Sequence, residues 1–266
     1  MVMFLGGIAL ILTAIGAAMV IDGNSLGVLL GPSSFVLVFF STAGAAVMAY
    51  GLSELKSIPR VIVAALRNAP PDLDETVTTL ASLADVARKE GMLALESRLE
   101  EISDPGIRQA LQLVVDGMEA EQVREMVEID LESVEKRHQF GISFFRSLGS
   151  YAPTFGMVGT VIGLINMLQN LSDPSQLGIG MALAMLTTLY GVMLANIVFL
   201  PVASRLDRQN DAEIAVREAA LDGVVALQGG ISPRLLVERM ETFLPPERRV
   251  GYSVRAGRTS PAQEAA

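Results

Sequence analysis

Four stretches of the chain carry no charged residue and are long enough to cross a bilayer: 3–21, 33–52, 148–170 and 178–203. A helix rises 1.5 Å per residue, so about 20 residues span a hydrocarbon core of roughly 30 Å. Each stretch is therefore expected to be a membrane helix. The first lacks the basic leader of a signal peptide, and Asp22-Gly23-Asn24 is no small-residue cleavage site, so it counts as a span. Elsewhere the pattern becomes amphipathic and helical. Val77, Leu80, Leu83, Ala84 and Ala87 recur with charges between them. Asp104-Pro105 predicts an N-cap with proline at the first helical position, and the helix bearing Ile107, Leu111, Val114 and Val115 should stop near Gly117. From Glu119 a charged helix carries Val123, Met126, Val127, Leu131 and Val134, with no breaker before the third span. Two further amphipathic regions cover 204–228 and 232–244. The residues from Pro245 show no periodicity and read as disordered.

The expected fold is an all-α polytopic membrane protein: four transmembrane helices, with a large helical cytoplasmic domain between helices 2 and 3. Its parts are a transmembrane hairpin at 1–52, the cytoplasmic domain at 53–147, a second hairpin at 148–203, a helical C-terminal region at 204–244 and a tail at 245–266. Charge fixes the orientation. All 20 Lys and Arg fall within 53–147 and 204–266, and the two basic-free blocks hold only the acids Asp22 and Asp173. The positive-inside rule puts the basic segments, and with them both termini, in the cytoplasm.

Composition narrows the chemistry. Apolar residues make up 51% and charged residues 18%, too few charges for an ordinary soluble domain or a disordered one. There is no Cys, one His (His138) and a net charge of −9. A disulfide framework, a catalytic thiol, a His metal cluster and a nucleic-acid partner are all disfavoured. No Gly-rich phosphate loop is present either, so the chain does not read as an enzyme, and no cofactor or resident metal is expected. His138 reads as an ordinary solvated helix position.

The spans themselves contain no Asp, Glu, Lys, Arg or His. An intramembrane carboxylate is the usual mark of ion coupling, so a coupled transporter would need a partner to supply it. Small residues at close-packing spacing occur at Gly159 and Gly163, at Thr187, Gly191 and Ala195, and at Ser41, Ala45 and Ala49. Thr160, Asn166, Thr187, Thr188 and Asn196 are polar. Taken alone, a threonine here reads as a hydroxyl bonded to its own i−4 carbonyl. Pro153 and Pro201 lie near the cytoplasmic ends of their spans, at similar depth. They read either as a pair of kinks in a hinged helix pair or as tolerated membrane prolines. Residues 88–96 read as a solvated helix face with charges flanking an apolar stretch.

Several of these segments resemble one family. Tyr-Ala-Pro-Thr-Phe-Gly-Met-Val-Gly-Thr-Val-Ile-Gly-Leu (151–164), Leu-Thr-Thr-Leu-Tyr-Gly (186–191) with Asn196 and Pro201, and the Arg88…Gly-Met-Leu-Ala-Leu-Glu96 stretch are similar to the MotA/PomA flagellar motor stator A subunits. Val-Asp-Gly (115–117) and Leu-Asp-Gly-Val-Val-Ala-Leu-Gln (221–228) match as well. The resemblance covers about 1–244 and implies an ion-driven motor subunit of the bacterial inner membrane. It implies five copies around a dimer of a single-span MotB/PomB-type partner, which brings the membrane Asp. It also implies that Pro153 and Pro201 couple ion passage to the cytoplasmic domain, and that Arg88, Glu96 and more weakly Lys89 contact the rotor protein FliG. Thr160 and Thr188 match the threonines lining the path in sodium-type members, where proton-type members have Ala at the Thr160 position. A hydroxyl oxygen suits a hard cation, so Na+ is expected over H+. The stretch Leu-Gly-Pro-Ser-Ser (30–34) lacks the acid that some sodium-type relatives carry at the outer entry to the second span. The alternatives are an ExbB/TolQ-type motor subunit, which usually has three spans, and a membrane scaffold or transporter without rotor contact.

Overall fold

The computed structural model describes residues 2–67, 72–102, 104–251 and 254. Their packing divides into two units: residues 1–68 with 138–208, and residues 69–137 with 209–266. The units therefore do not break where the charge does, at 52, 147 and 203.

The first unit holds α1 (Val2–Ile21), a 3₁₀ turn (Leu26–Leu29), α2 (Pro32–Ala49), α3 (Leu52–Leu55) and α4 (Ile58–Arg67). It also takes the C-terminal half of α7 (Ala120–Gln169), all of α8 (Pro174–Met193), a π-helical turn (Leu194–Phe199) and the start of α9 (Leu200–Gln228). Four helices are long and apolar enough to cross a membrane. Caps start them where the sequence provides for it: Pro32 and Pro174 occupy first-turn positions, and Asp173 accepts from the Ser175 N–H at 3.0 Å. The hydroxyl and N–H of Ser175 also hold the Asp173 carboxyl below the ordinary aspartate range. The π turn has a local cause. Pro201 has no N–H for the i−4 carbonyl and its ring crowds that position, so the turn before it widens and the Leu200 N–H reaches back to Ala195 O. A small core gathers Ala46, Phe144, Phe145, Leu148, Ala152, Ala195, Phe199 and Ala203. Tyr50 packs edge-on against Phe140 and Phe144, and its hydroxyl lies 2.9 Å from Ser147 Oγ.

The second unit contains α5 (Leu73–Glu90), a 3₁₀ helix (Met92–Glu101), α6 (Pro105–Val115), the charged half of α7, the rest of α9, and α10 (Pro233–Met240). Its helix starts follow the expected chemistry. Asp72 caps α5, Asp104 caps α6 with two backbone bonds, and Ser232 caps α10. Leu80, Leu95, Leu111, Leu236 and Met240 are fully buried in one core. Each fully buried side chain of this size contributes about 1.5–3 kcal/mol.

Two expectations are corrected here. Residues 88–96 are not one helix: α5 ends at Glu90, Gly91 takes φ +91°, and a 3₁₀ helix follows. An L side chain at Gly91 would be strained in that left-handed conformation, so glycine makes the break. The start of the tail is also ordered. Arg248 pairs with Asp72, at 2.8 Å, and with Asp74 at the start of α5, and Glu241 accepts from the Val250 and Gly251 N–H groups. The tail lacks periodicity because polar pairing, not an apolar face, holds it. The remainder from 255, like Pro70-Pro71, lies outside the described residues.

Candidate functional site

The two membrane helices α7 and α8 meet along glycine. A Cβ on Gly163 would lie 2.6 Å from Ala184 N, one on Gly180 2.8 Å from Gly163 O, and one on Gly191 2.6 Å from Ala152 O. Gly159 faces the Thr187 side chain, and Gly156 faces the Thr187 carbonyl. With no side chain between them, the backbones approach closely, as small-residue seams allow in lipid. Sequence spacing pointed to Gly159, Gly163, Thr187 and Gly191. It missed Gly156, Gly180 and Ala184, which only the pairing register brings onto the same line.

The seam brings two hydroxyls together. Thr160 Oγ1 and Thr188 Oγ1 are 2.5 Å apart. Thr160 also lies 3.1 Å from its i−4 carbonyl at Gly156 and 3.3 Å from Ala184 O. Thr188 bonds its own i−4 carbonyl, Ala184 O, at 3.4 Å, and the buried Thr187 bonds Leu183 O and Ala184 O. Each hydroxyl has one proton, so of Thr160 and Thr188 one donates to the other and the acceptor keeps its carbonyl bond, while Thr187 stays on its local carbonyls. Two hydroxyls carry two protons and four lone pairs. One lone pair accepts the bond between them, which leaves three for a water or a cation. Thr188 is exposed and Thr160 half-buried, so this oxygen pair is open on one side. Among the described residues no cluster of three or more His, Cys, Asp or Glu could hold a metal.

Pro153 lies inside α7, and its Cα would be 3.2 Å from a Cβ on Gly191. Gly149, four residues earlier in α7, faces Leu200. In this antiparallel register Pro153 is level with about residue 193, so Pro201 sits about eight residues, or roughly 12 Å, further along. The two prolines are therefore not at one depth. Proline positions alone could not show this, because depth depends on how α7 and α8 are paired. In the second unit Arg88 and Lys89 close α5, Glu96 sits in the 3₁₀ helix after Gly91, and all three are exposed. His138 is half-buried on α7. Tyr190, quoted within a motif but given no role from sequence, bonds the connection before α2.

The MotA/TolQ/ExbB proton channel family matches residues 98–219. Motility protein A of Borreliella burgdorferi is 36% identical over 236 residues, which is 89% of this chain and 91% of that protein. This chain belongs to the MotA/TolQ/ExbB family. Another MotA-type relative, chemotaxis protein PomA of Vibrio alginolyticus, is 34% identical over 245 residues, covering 92% of this chain and 94% of that protein. The solved structure of the flagellar MotAB stator complex from Bacillus subtilis matches with a TM-score of 0.86 at 31% identity, over 92% of this chain and 96% of that one. The matched family is a proton channel family, and the described residues include four helices long and apolar enough to cross a membrane. The all-helical fold, with four membrane helices and a helical region between the second and third, is the one sequence patterning anticipated.

Proposed function

We propose that this chain is the A-type stator subunit of a flagellar motor. With a single-span MotB/PomB-type partner it forms a channel that couples inward cation flow, Na+ in preference to H+, to torque on the rotor. The observation that carries this reading is the pairing of an absence with a presence. The membrane segments hold no Asp, Glu, Lys, Arg or His, yet they place two hydroxyls 2.5 Å apart on an open helix seam. A carboxylate brought by the partner would complete an oxygen site beside them, and hard cations bind through oxygen.

Five copies around a partner dimer, in the bacterial inner membrane with both termini cytoplasmic, would line such a path. Pro153 and Pro201 would pass ion-driven movement of α7 and α8 to the cytoplasmic domain. Arg88, Lys89 and Glu96 would engage charged residues of FliG. Exposed charge pairs are weak and exchange quickly, which suits a stepping contact. Matches to motility proteins over about nine-tenths of the chain favour this reading over an ExbB/TolQ-type role.

The deciding experiment is swimming speed against sodium, and against a protonophore, in cells lacking their own stator and supplied with this chain and its partner. Speed should rise with sodium and survive the protonophore. Thr160→Ala should weaken the sodium dependence. Speed that follows the protonophore and ignores sodium would refute the sodium assignment, and no swimming with any partner would refute the motor.

A further inference from the structure

The Tyr190 hydroxyl is bonded on both sides by one short segment. It donates to Leu29 O at 2.5 Å and accepts from the Gly31 N–H at 2.8 Å. The Tyr190 ring also stands edge-on to Phe35, with centroids 5.9 Å apart at 89°. Gly31 is closed in as well, since a Cβ there would lie 2.7 Å from Leu186 Cδ1. The connection from α1 to α2 is therefore docked onto α8 between Leu186 and Tyr190. Those positions lie about 12–16 residues, or roughly 18–24 Å, along α8 from its start at Pro174. This is the level of Thr188.

A backbone carbonyl and N–H closed in against a helix need partners. One phenol meets both needs. Successive helix residues turn by about 100°, so Thr188 and Tyr190 project from nearly opposite faces of α8. One face carries the hydroxyl that meets Thr160, and the other carries the bond to the connection. The seam of α8 against α7 is built mostly of glycine and alanine, with the buried Thr187 side chain seated on Gly159. Such a surface fixes how close the helices come but has few knobs to resist rotation of one about its axis.

We propose that Tyr190 is a positioning residue of the ion path. Its hydroxyl latches α8 to the α1–α2 connection and so holds α8 at the rotation that sets Thr188 against Thr160. The proposal rests on reading the Thr160–Thr188 pair as part of that path. Tyr190 does not touch the cation. It acts through Thr188.

The test uses the whole complex, this chain with its partner, in stator-less cells. Tyr190→Phe keeps the ring and its contact with Phe35 and removes only the hydroxyl. The sodium concentration for half-maximal speed should rise at least about threefold, while maximal speed and the amount of complex in the membrane stay near wild type. A side chain that merely stabilised the fold would lower the amount of complex without moving half-saturation. An unchanged half-saturation overturns the latch.

A covalent latch supplies the rescue. The chain has no cysteine of its own. Gly31→Cys with Leu186→Cys, oxidised in the Tyr190→Phe background, should tie the connection back to α8 and return half-saturation to within about twofold of wild type. A cross-link that forms without restoring it overturns the proposal. Should Tyr190→Phe alone fail to accumulate, the cross-linked form must recover both the complex and wild-type half-saturation, and failure of either is again a refutation. Thr160→Ala measured alongside separates the two readings. A shift there with none in Tyr190→Phe removes the latch and leaves the path, whereas no shift in either removes the path itself.

Discussion

Gly163→Ala tests the seam most directly. The new Cβ would lie 2.6 Å from Ala184 N, 2.7 Å from Gly180 O and 2.9 Å from Ala184 Cα. All three are backbone atoms, so no side chain can swing away. The first is about 0.8 Å short of the 3.4 Å at which such contacts become ordinary. α7 and α8 must separate by about that distance. Thr160 is one turn away, so a rigid separation would carry its hydroxyl from 2.5 Å to roughly 3.3 Å from that of Thr188, beyond O–H···O range. Overpacking costs about 1–3 kcal/mol, and an interhelical hydrogen bond in a membrane is worth about 0.6 kcal/mol. Alanine recovers about 0.5–1 kcal/mol of helix propensity. The net loss is roughly 0.6–3 kcal/mol, read as a lower melting temperature of the purified complex, and swimming should fall with it. Gly44→Ala is the control: its Cβ meets nothing within 4 Å, so it should melt at or slightly above wild type. A Gly163→Ala complex as stable and motile as wild type would show that the helices have room, and the close-packed seam would be wrong.

Pro153→Ala should abolish torque while the complex still assembles, measured by tethered-cell rotation and membrane pull-down; normal rotation would remove its coupling role. Reversing Arg88 and Glu96 together, to Glu and Arg, should slow rotation while the amount of complex in the membrane stays near wild type, and unaltered rotation would leave both as plain surface charges. Arg248→Ala should loosen the start of α5 only slightly, because the Arg248 side chain is exposed and its pairs are screened. Protease cleavage near Asp72 should rise, the effect should fade in high salt, and Arg248→Lys should restore most of it.

Local chemistry explains what could be read early. Asp104, Ser232 and Asp72 cap helices through groups two or three residues away, and the start at Asp104-Pro105 was visible in a short window. The break at Gly91 was not, because Arg88-Lys89-Glu90-Gly91 satisfies a helical pattern until the backbone turns left-handed. Nor was the strap at 245–251, whose Arg248 finds Asp72 across 176 residues.

The membrane layout was determined by sequence alone. Transfer into hydrocarbon is a cost summed residue by residue, so four uncharged runs mark the candidate spans, and the grouping of Lys and Arg sets the expected orientation, wherever the helices later pack. The lack of Asp, Glu, Lys, Arg and His in the spans was equally plain, since it is a statement about which residues are present. The tertiary structure decided which small residues share a seam, that Thr160 meets Thr188, that Pro201 lies about 12 Å beyond Pro153, and that the connection before α2 docks at the level of Thr188. Each of these depends on the register between helices. Register is set by close backbone contacts between residues far apart in the chain, and no periodicity within one helix records where its neighbour will stop.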